Sequence, residues 1–269
     1  MLPNGTWHSI LLPLFSIAAF ASYLVLYYSD PGRFKSNRSA VRLARHLWEG
    51  DVLLYPQDKP LTCHCLSQSS NEHSAHDSVA SSQRVSRSKH CTDGCGQCTL
   101  RFNHHCVWAN NCIGLFNLRW FLLFLTTTAV LCFYAAALSL GVLFAKIDLR
   151  EELTLFFVGQ LLYVAVYCTC TGIVLSGLFL VSMRQILNNV TTYEVMKRER
   201  LLKAFEMLKK GKRNKRLTPS VMSMLESCVE HGSNATIVEL PYRCSIGKRL
   251  TEAFVPELLF SDDSSWKEV

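Results

Sequence analysis

The chain has 269 residues, 49% hydrophobic and 18% charged, with a formal net charge of +7. Its apolar residues collect in three long runs, which speaks against a soluble globule and for membrane spans. Twelve cysteines do not make a disulfide framework here: seven fall between residues 63 and 112, among histidines in a basic stretch, where metal ligation by thiolates in a reducing compartment fits better. No internal repeat is visible.

Residues 1–8 are short and polar, and Asn4-Gly5-Thr6 is a glycosylation sequon close to the membrane. Ser9–Tyr28, SILLPLFSIAAFASYLVLYY, carries no charge and is long enough to span. A signal peptide is the weaker reading, because there is no basic n-region and no clear small-residue cleavage site. Asp30-Pro31-Gly32 ends the run, and Arg33, Lys35, Arg38, Arg42 and Arg45 follow. Ser39–Trp48 patterns as a short amphipathic helix with Val41, Ala44, Leu47 and Trp48 on one face. It either rests on an anionic membrane surface or packs as a loop helix. Ser67–Gln83, rich in Ser, His and Gln, reads as a flexible insertion.

Two further uncharged runs come later. The expected spans are residues 9–28, 119–145 and 154–183, separated by a cytosolic linker 29–62, a cysteine-rich domain 63–118 and a short luminal loop 146–153. A tail from 184 to 269 follows. Lys and Arg number eleven in residues 29–119, two in the loop and fifteen from Arg184 onward. By the positive-inside rule the cysteine-rich region and the tail face the cytosol. After the third span, Thr191 or Thr192 can cap a helix that continues through KRERLLKAFEMLKK and stops at Gly211. The run KKGKRNKR is either a contact for anionic lipid headgroups or a solvated helix end. Cys132, Cys168 and Cys170 lie within spans and read as packing residues.

The densest chemistry is His90–Cys112, HCTDGCGQCTLRFNHHCVWANNC, with five cysteines and three histidines in 23 residues. Zinc ligands come in pairs two to four residues apart, so that one tight turn aims both at the ion. Cys91-x3-Cys95 and Cys95-x2-Cys98 fit. His90, His105 and Cys112 add candidates, and Cys63 and Cys65 lie upstream. Eight candidates make two tetrahedral sites, leaving out His104 and Cys106. The zinc would be structural, because the segment has too little apolar content to fold alone.

These residues resemble the DHHC palmitoyltransferases, membrane enzymes that S-acylate cysteines of other proteins. The resemblance covers about residues 24–194. It rests on RSKHC at Arg87–Cys91, NHHC at Asn103–Cys106, NNCIGxxN at Asn110–Asn117, the DPG motif at Asp30–Gly32 and the TTxE motif at Thr191–Glu194. It implies an α-helical polytopic membrane protein with a cytosolic zinc-binding cysteine-rich domain. Cys106 would be the nucleophile, His104 its general base and Asn103 the residue that orients the base. One zinc would go to Cys63, Cys65, His90 and Cys98, the other to Cys91, Cys95, His105 and Cys112. Palmitoyl-CoA would acylate Cys106, and a membrane-proximal cysteine of a protein substrate would take the acyl group. A thiolate made by an adjacent imidazole suits that chemistry. Arg84, Arg87 and Lys89 are candidate partners for the CoA phosphates. No nucleic-acid partner is expected. The LLYPQDKPLTC lead-in is similar to the endoplasmic-reticulum branch, which points to that organelle or the Golgi.

The chain departs from the family at four places. Asn103 stands where the family has Asp; it can orient a ring but carries no charge, and in the serine-protease triad the same exchange costs about 10⁴ in rate. The first pair is Cys63-His64-Cys65 rather than C-x2-C. A long separation follows before His90, so His64, His73 or His76 are possible substitutes, and Gly94 looks inserted between Cys91 and Cys95. Three spans stand where the family usually has four. A catalytically silent zinc-binding scaffold is the alternative these departures support, and an unrelated zinc-binding adaptor is a third reading.

Overall fold

The computed structural model of the chain describes residues 5–34, 87–148 and 154–211, with positions 226, 249, 250, 253 and 254. The expected helix over Ser39–Trp48, the insertion 67–83, Cys63, Cys65, Arg84 and the basic run beyond Gly211 lie outside the described residues. The described residues fall into two units. Those up to Ser29 join Arg119–Arg184 in one, and Asp30–Leu118 joins the residues from Gln185 onward in the other.

The first unit is built from α1 (Gly5–Tyr28), α2 (Leu118–Asp148) and α3 (Leu155–Leu187). At 1.5 Å per residue, their 24, 31 and 33 residues each exceed a hydrocarbon core of about 30 Å. All three are long and apolar enough to cross a membrane. A helix satisfies its own backbone where no water is available, and that requirement selects it for such runs. The helices outrun the apolar segments 9–28, 119–145 and 154–183, because backbone pairing continues through polar ends such as Lys146 and Arg184. Trp7, Ile10, Leu14 and Ile17 stand exposed along one side of α1 at helical spacing, as a lipid-facing stripe requires.

Small and polar residues join these helices. Ser22 Oγ lies 2.8 Å from Thr127 Oγ1, and His8 Nδ1 lies 2.7 Å from the Tyr134 hydroxyl. The Phe15 ring meets Tyr134 edge-on at 5.1 Å. A Cβ at Gly172 would come within 2.9 Å of the Phe133 ring, so the missing side chain admits the aromatic.

The second unit has two short antiparallel ribbons. β1 (Lys89–His90) pairs with β2 (Cys98–Thr99), and β3 (His104–Cys106) pairs with β4 (Asn111–Ile113). Strands this short are not stable alone. Their support is a core containing Leu100, Phe102, Ala109, Ile113 and Leu115, together with buried cysteines. The Asp30–Phe34 segment is laid against β2. Asp30 Oδ1 accepts the N–H groups of Gly32 and Arg33 at 3.0 Å each, an Asx turn. Leu100 N–H then donates to Gly32 O, and Phe34 N–H to Cys98 O. Gly32 has φ +96°, a conformation that glycine adopts freely. A Cβ at Gly114 would sit 2.4 Å from Pro31 O and 2.8 Å from Leu100 O. The glycine of NNCIG therefore lets the proline of the DPG motif pass.

α4 (Thr192–Lys209) begins with a capping box. Thr191 Oγ1 accepts from Glu194 N–H at 3.2 Å, and Glu194 Oε2 accepts from Thr191 N–H at 2.8 Å. Of the two candidate caps, Thr191 is the one used. Gly211, at φ +70°, follows the end of the helix. Glu194 does more than cap. Its carboxylate receives Arg87 Nε at 2.8 Å and Nη2 at 3.0 Å. Arg87 also donates to Oδ1 and to the backbone oxygen of Asn189, both at 3.0 Å. Arg87 and Glu194 are 0% and 1% exposed. The RSKHC and TTxE motifs thus meet in one buried, bidentate ion pair. This corrects the expectation of Arg87 as a phosphate-pairing cation: a guanidinium with no exposed surface, engaged by Glu194 and Asn189, is not placed to receive a diphosphate.

Removing one partner of a buried pair strands the other charge. Glu194→Ala is expected to destabilise the protein by about 3–5 kcal/mol. The double replacement Arg87→Met with Glu194→Leu should cost less than Glu194→Ala alone. Denaturant unfolding of the detergent-purified chain checks both.

Candidate metal centre and nucleophile

Strand alternation places the site's side chains. Successive residues of β3 point to opposite faces, so His104 and Cys106 share one and His105 takes the other. In the register, His105 is directly opposite Cys112, and Cys106 is opposite Asn111. Directly opposed residues project to the same side. His105 and Cys112 therefore converge, and Cys91 and Cys95 reach them from the loop after β1.

The four ligand atoms of Cys91, Cys95, His105 and Cys112 all lie within 4.8 Å of one another. His105 Nδ1 is 3.7, 3.5 and 3.8 Å from the Sγ atoms of Cys91, Cys95 and Cys112. With Zn–S near 2.3 Å and Zn–N near 2.05 Å, a tetrahedron has S···N edges of about 3.5 Å. The donors and their spacing fit a zinc ion. Burial first, then hydrogen bonds from and the charges of Cys95 and Cys91, push the Cys112 thiol well up. Thiols crowded in this way are what a bound dication relieves, since a coordinated thiol is deprotonated. Gly94, at φ +122°, turns the Cys91–Cys95 loop, and its Cβ position is 4.0 Å from the His105 ring. The residue that looks inserted is the one that bends the chelating loop.

His90 and Cys98 are cross-strand partners in the other ribbon. Cys98 Sγ lies 3.7 Å from His90 Nδ1, the same spacing as in the four-ligand cluster. Cys63 and Cys65, which the resemblance assigns beside them, lie outside the described residues. Among the described residues, the cluster around His105 is the one with four donors.

Cys106 is buried and His104 half-buried. Burial, and secondarily the charge of His105, lower His104 to about 4. The imidazole is therefore neutral near pH 7, and burial makes it a weaker base than an exposed histidine. Asn103 joins β3 to α4. Its N–H donates to Ile113 O at 2.8 Å, its Oδ1 accepts Thr192 N–H at 2.6 Å, and its backbone oxygen accepts Tyr193 N–H at 3.1 Å. The side-chain oxygen expected to orient the histidine thus serves the first turn of α4. Lys89 is half-buried, its Nζ 4.8 Å from the Phe102 ring centroid and 5.0 Å from that of Tyr193. Arg84 lies outside the described residues. Sequence reasoning gives no role to Asn189 or Tyr193. Asn189 shows itself by its left-handed φ of 52° and its bonds to Arg87 and Arg101, which the sequence does not display.

His105→Ala is expected to lose one zinc equivalent from the purified chain, whereas His104→Ala, altered on the opposite face of β3, should keep its full complement. Elemental analysis of both variants is the check.

A model of the DHHC palmitoyltransferase family matches residues 71–199. Palmitoyltransferase ZDHHC4 of Mus musculus is 41% identical over 81 residues, 29% of this chain and 23% of that protein. Palmitoyltransferase swf1 of Schizosaccharomyces pombe is 46% identical over 70 residues, 26% of this chain and 19% of that protein. Protein S-acyltransferase 8 of Arabidopsis thaliana is 30% identical over 118 residues, 42% of this chain and 28% of that protein. The matched segments thus span between 19% and 28% of these relatives' length. Three apolar helices together with this likeness identify an integral membrane protein. A Cys/His cluster of zinc-binding geometry, the NHHC strand and the family match converge: residues 71–199 carry a DHHC palmitoyltransferase family domain.

Proposed function

We propose that the chain is a protein-cysteine S-acyltransferase that moves a fatty acyl group from acyl-CoA to Cys106 and then to a cysteine of a protein substrate. The observation that carries this reading is the division of β3: His105 joins the metal-type cluster on one face, leaving His104 and Cys106 together on the other. Neutral His104 takes the thiol proton, and Cys106 Sγ adds to the thioester carbonyl. The C–S bond to CoA then breaks, and CoA leaves as its thiol. In the second half the substrate thiol attacks the acyl-enzyme and restores Cys106.

Two structural zinc ions would complete the domain, one on Cys91, Cys95, His105 and Cys112, the other on Cys63, Cys65, His90 and Cys98. They fix the loop that carries the nucleophile. Arg84 and Lys89 remain the candidates for the CoA phosphates. The Lys and Arg distribution supports a cytosolic zinc domain and tail, which suits membrane-proximal cysteines of cytosol-facing substrates. The likeness to ZDHHC4 and swf1 supports the endoplasmic-reticulum branch, with the Golgi as the other candidate compartment.

Asn103 favours a second reading, a silent zinc-binding scaffold. It is neutral, and its oxygen is engaged by Thr192 N–H. Labelling with an alkyne fatty acid followed by hydroxylamine separates the two. The transferase shows hydroxylamine-labile label that disappears in Cys106→Ser; a scaffold shows none in either protein. Asn103→Asp is expected to raise the rate of self-acylation. The gain should be smaller than the factor of about 10⁴ the exchange is worth in a serine triad, because a thiol needs less activation.

A further inference from the structure

The face of the β3–β4 ribbon that bears His104 and Cys106 also holds a cation to which the mechanism gives no part. Asn111 stands across from Cys106, so the two side chains leave the ribbon on the same side, with Cβ atoms about 5 Å apart. Both residues are buried. Arg33 Nη2 donates to Asn111 Oδ1 at 3.2 Å. The backbone carrying this guanidinium is held on several sides. Arg33 N–H is bonded to Asp30 Oδ1, and the residue bridges Thr99. Phe34 beside it is 1% exposed and bonded to Cys98 O. Pro31, two residues earlier, lies where only glycine at 114 leaves room. Arg33 thus stands at the residue facing the nucleophile on a backbone with little freedom to move.

Thioester attack places negative charge on the carbonyl oxygen as the sulfur adds. Fixed donors and charges near that point are worth most when water is excluded and no reorganisation is needed. A guanidinium keeps its charge at any working pH. We propose that Arg33, fixed by Asn111, stabilises the oxyanion formed when Cys106 adds to the thioester carbonyl of acyl-CoA. The inference rests on the transferase reading above. In this step the Sγ–C bond forms and the carbonyl π pair moves onto oxygen. On collapse the C–S bond to CoA breaks, and the proton from Cys106, carried by His104, leaves with the CoA thiol. Arg33 exchanges no proton and is unchanged at the end.

The test measures the single-turnover rate of Cys106 acylation against palmitoyl-CoA concentration, using the full chain in detergent. Zinc content is measured in parallel for wild type, Arg33→Gln and Arg33→Lys. In Arg33→Gln the saturating rate is expected to fall about 100-fold. The half-saturating concentration and zinc content should stay at wild-type values. Arg33→Lys, which keeps the charge but not the fork, should recover about a tenfold part of that loss. A Gln variant as fast as wild type would overturn the proposal. So would a rise in half-saturation at unchanged saturating rate, which would make Arg33 an acyl-CoA-binding residue, or loss of zinc in both variants, which would make it a purely structural one. A wild type that takes no label removes the transferase reading itself, and this inference with it.

Discussion

One histidine decides the geometry of the catalytic-type loop. His105 is drawn into the cluster with Cys91, Cys95 and Cys112, and a strand cannot turn one residue without turning its neighbours. Committing His105 to one face commits His104 and Cys106 to the other. The ribbon is only three residues per strand and has little cooperative stability of its own. The ligand cluster therefore supplies the constraint that a longer sheet would supply by hydrogen bonding. Two adjacent histidines of identical chemistry come to face opposite sides of the ribbon because of strand parity alone.

A second constraint ties that loop to the far end of the described chain. Asn103, next to His104, accepts the first N–H of α4, and Glu194, in the first turn of α4, holds Arg87. The start of α4 is thus anchored on both sides of the metal-type cluster, at the residue before β3 and near the residue before β1. A carboxylate at position 103 would face the positive end of that helix, where negative charge is favoured. Asparagine keeps the hydrogen bond and gives up the charge. An asparagine at this position should therefore cost the fold little, because the bond to Thr192 needs only an acceptor.

The legible and illegible parts of this structure divide by sequence distance and by periodicity. Ser9–Tyr28 is readable as a span because it is long, apolar and free of charge. Its extension back to Gly5 is not readable, since polar residues at a helix end carry no such mark. Cys91 and Cys95 are readable as a ligand pair from spacing. The assignment of His105 to them and His104 to the opposite face depends on a register that short strands do not advertise. Arg87 misleads because a basic residue near the membrane resembles a phosphate partner, and nothing local shows that its counter-ion lies 107 residues away. The TTxE motif is visible as a pattern, but its physical content, a capping box whose glutamate also closes an ion pair, needs three dimensions.

That separation of 107 residues sets an order of events during synthesis. The ligands Cys91, Cys95, His105 and Cys112 leave the ribosome close together, so their cluster can assemble early. Arg87 cannot be neutralised by Glu194 until α2 and α3 have also been made, a delay of roughly 5–20 s at ordinary elongation rates. Until then a guanidinium destined for a dry interior stays solvated, and the segment around it stays open. The beginning of α4 therefore acts as a late closing piece. A chain halted before residue 194 would carry the metal-type loop without the carboxylate that receives Arg87 in the finished interior.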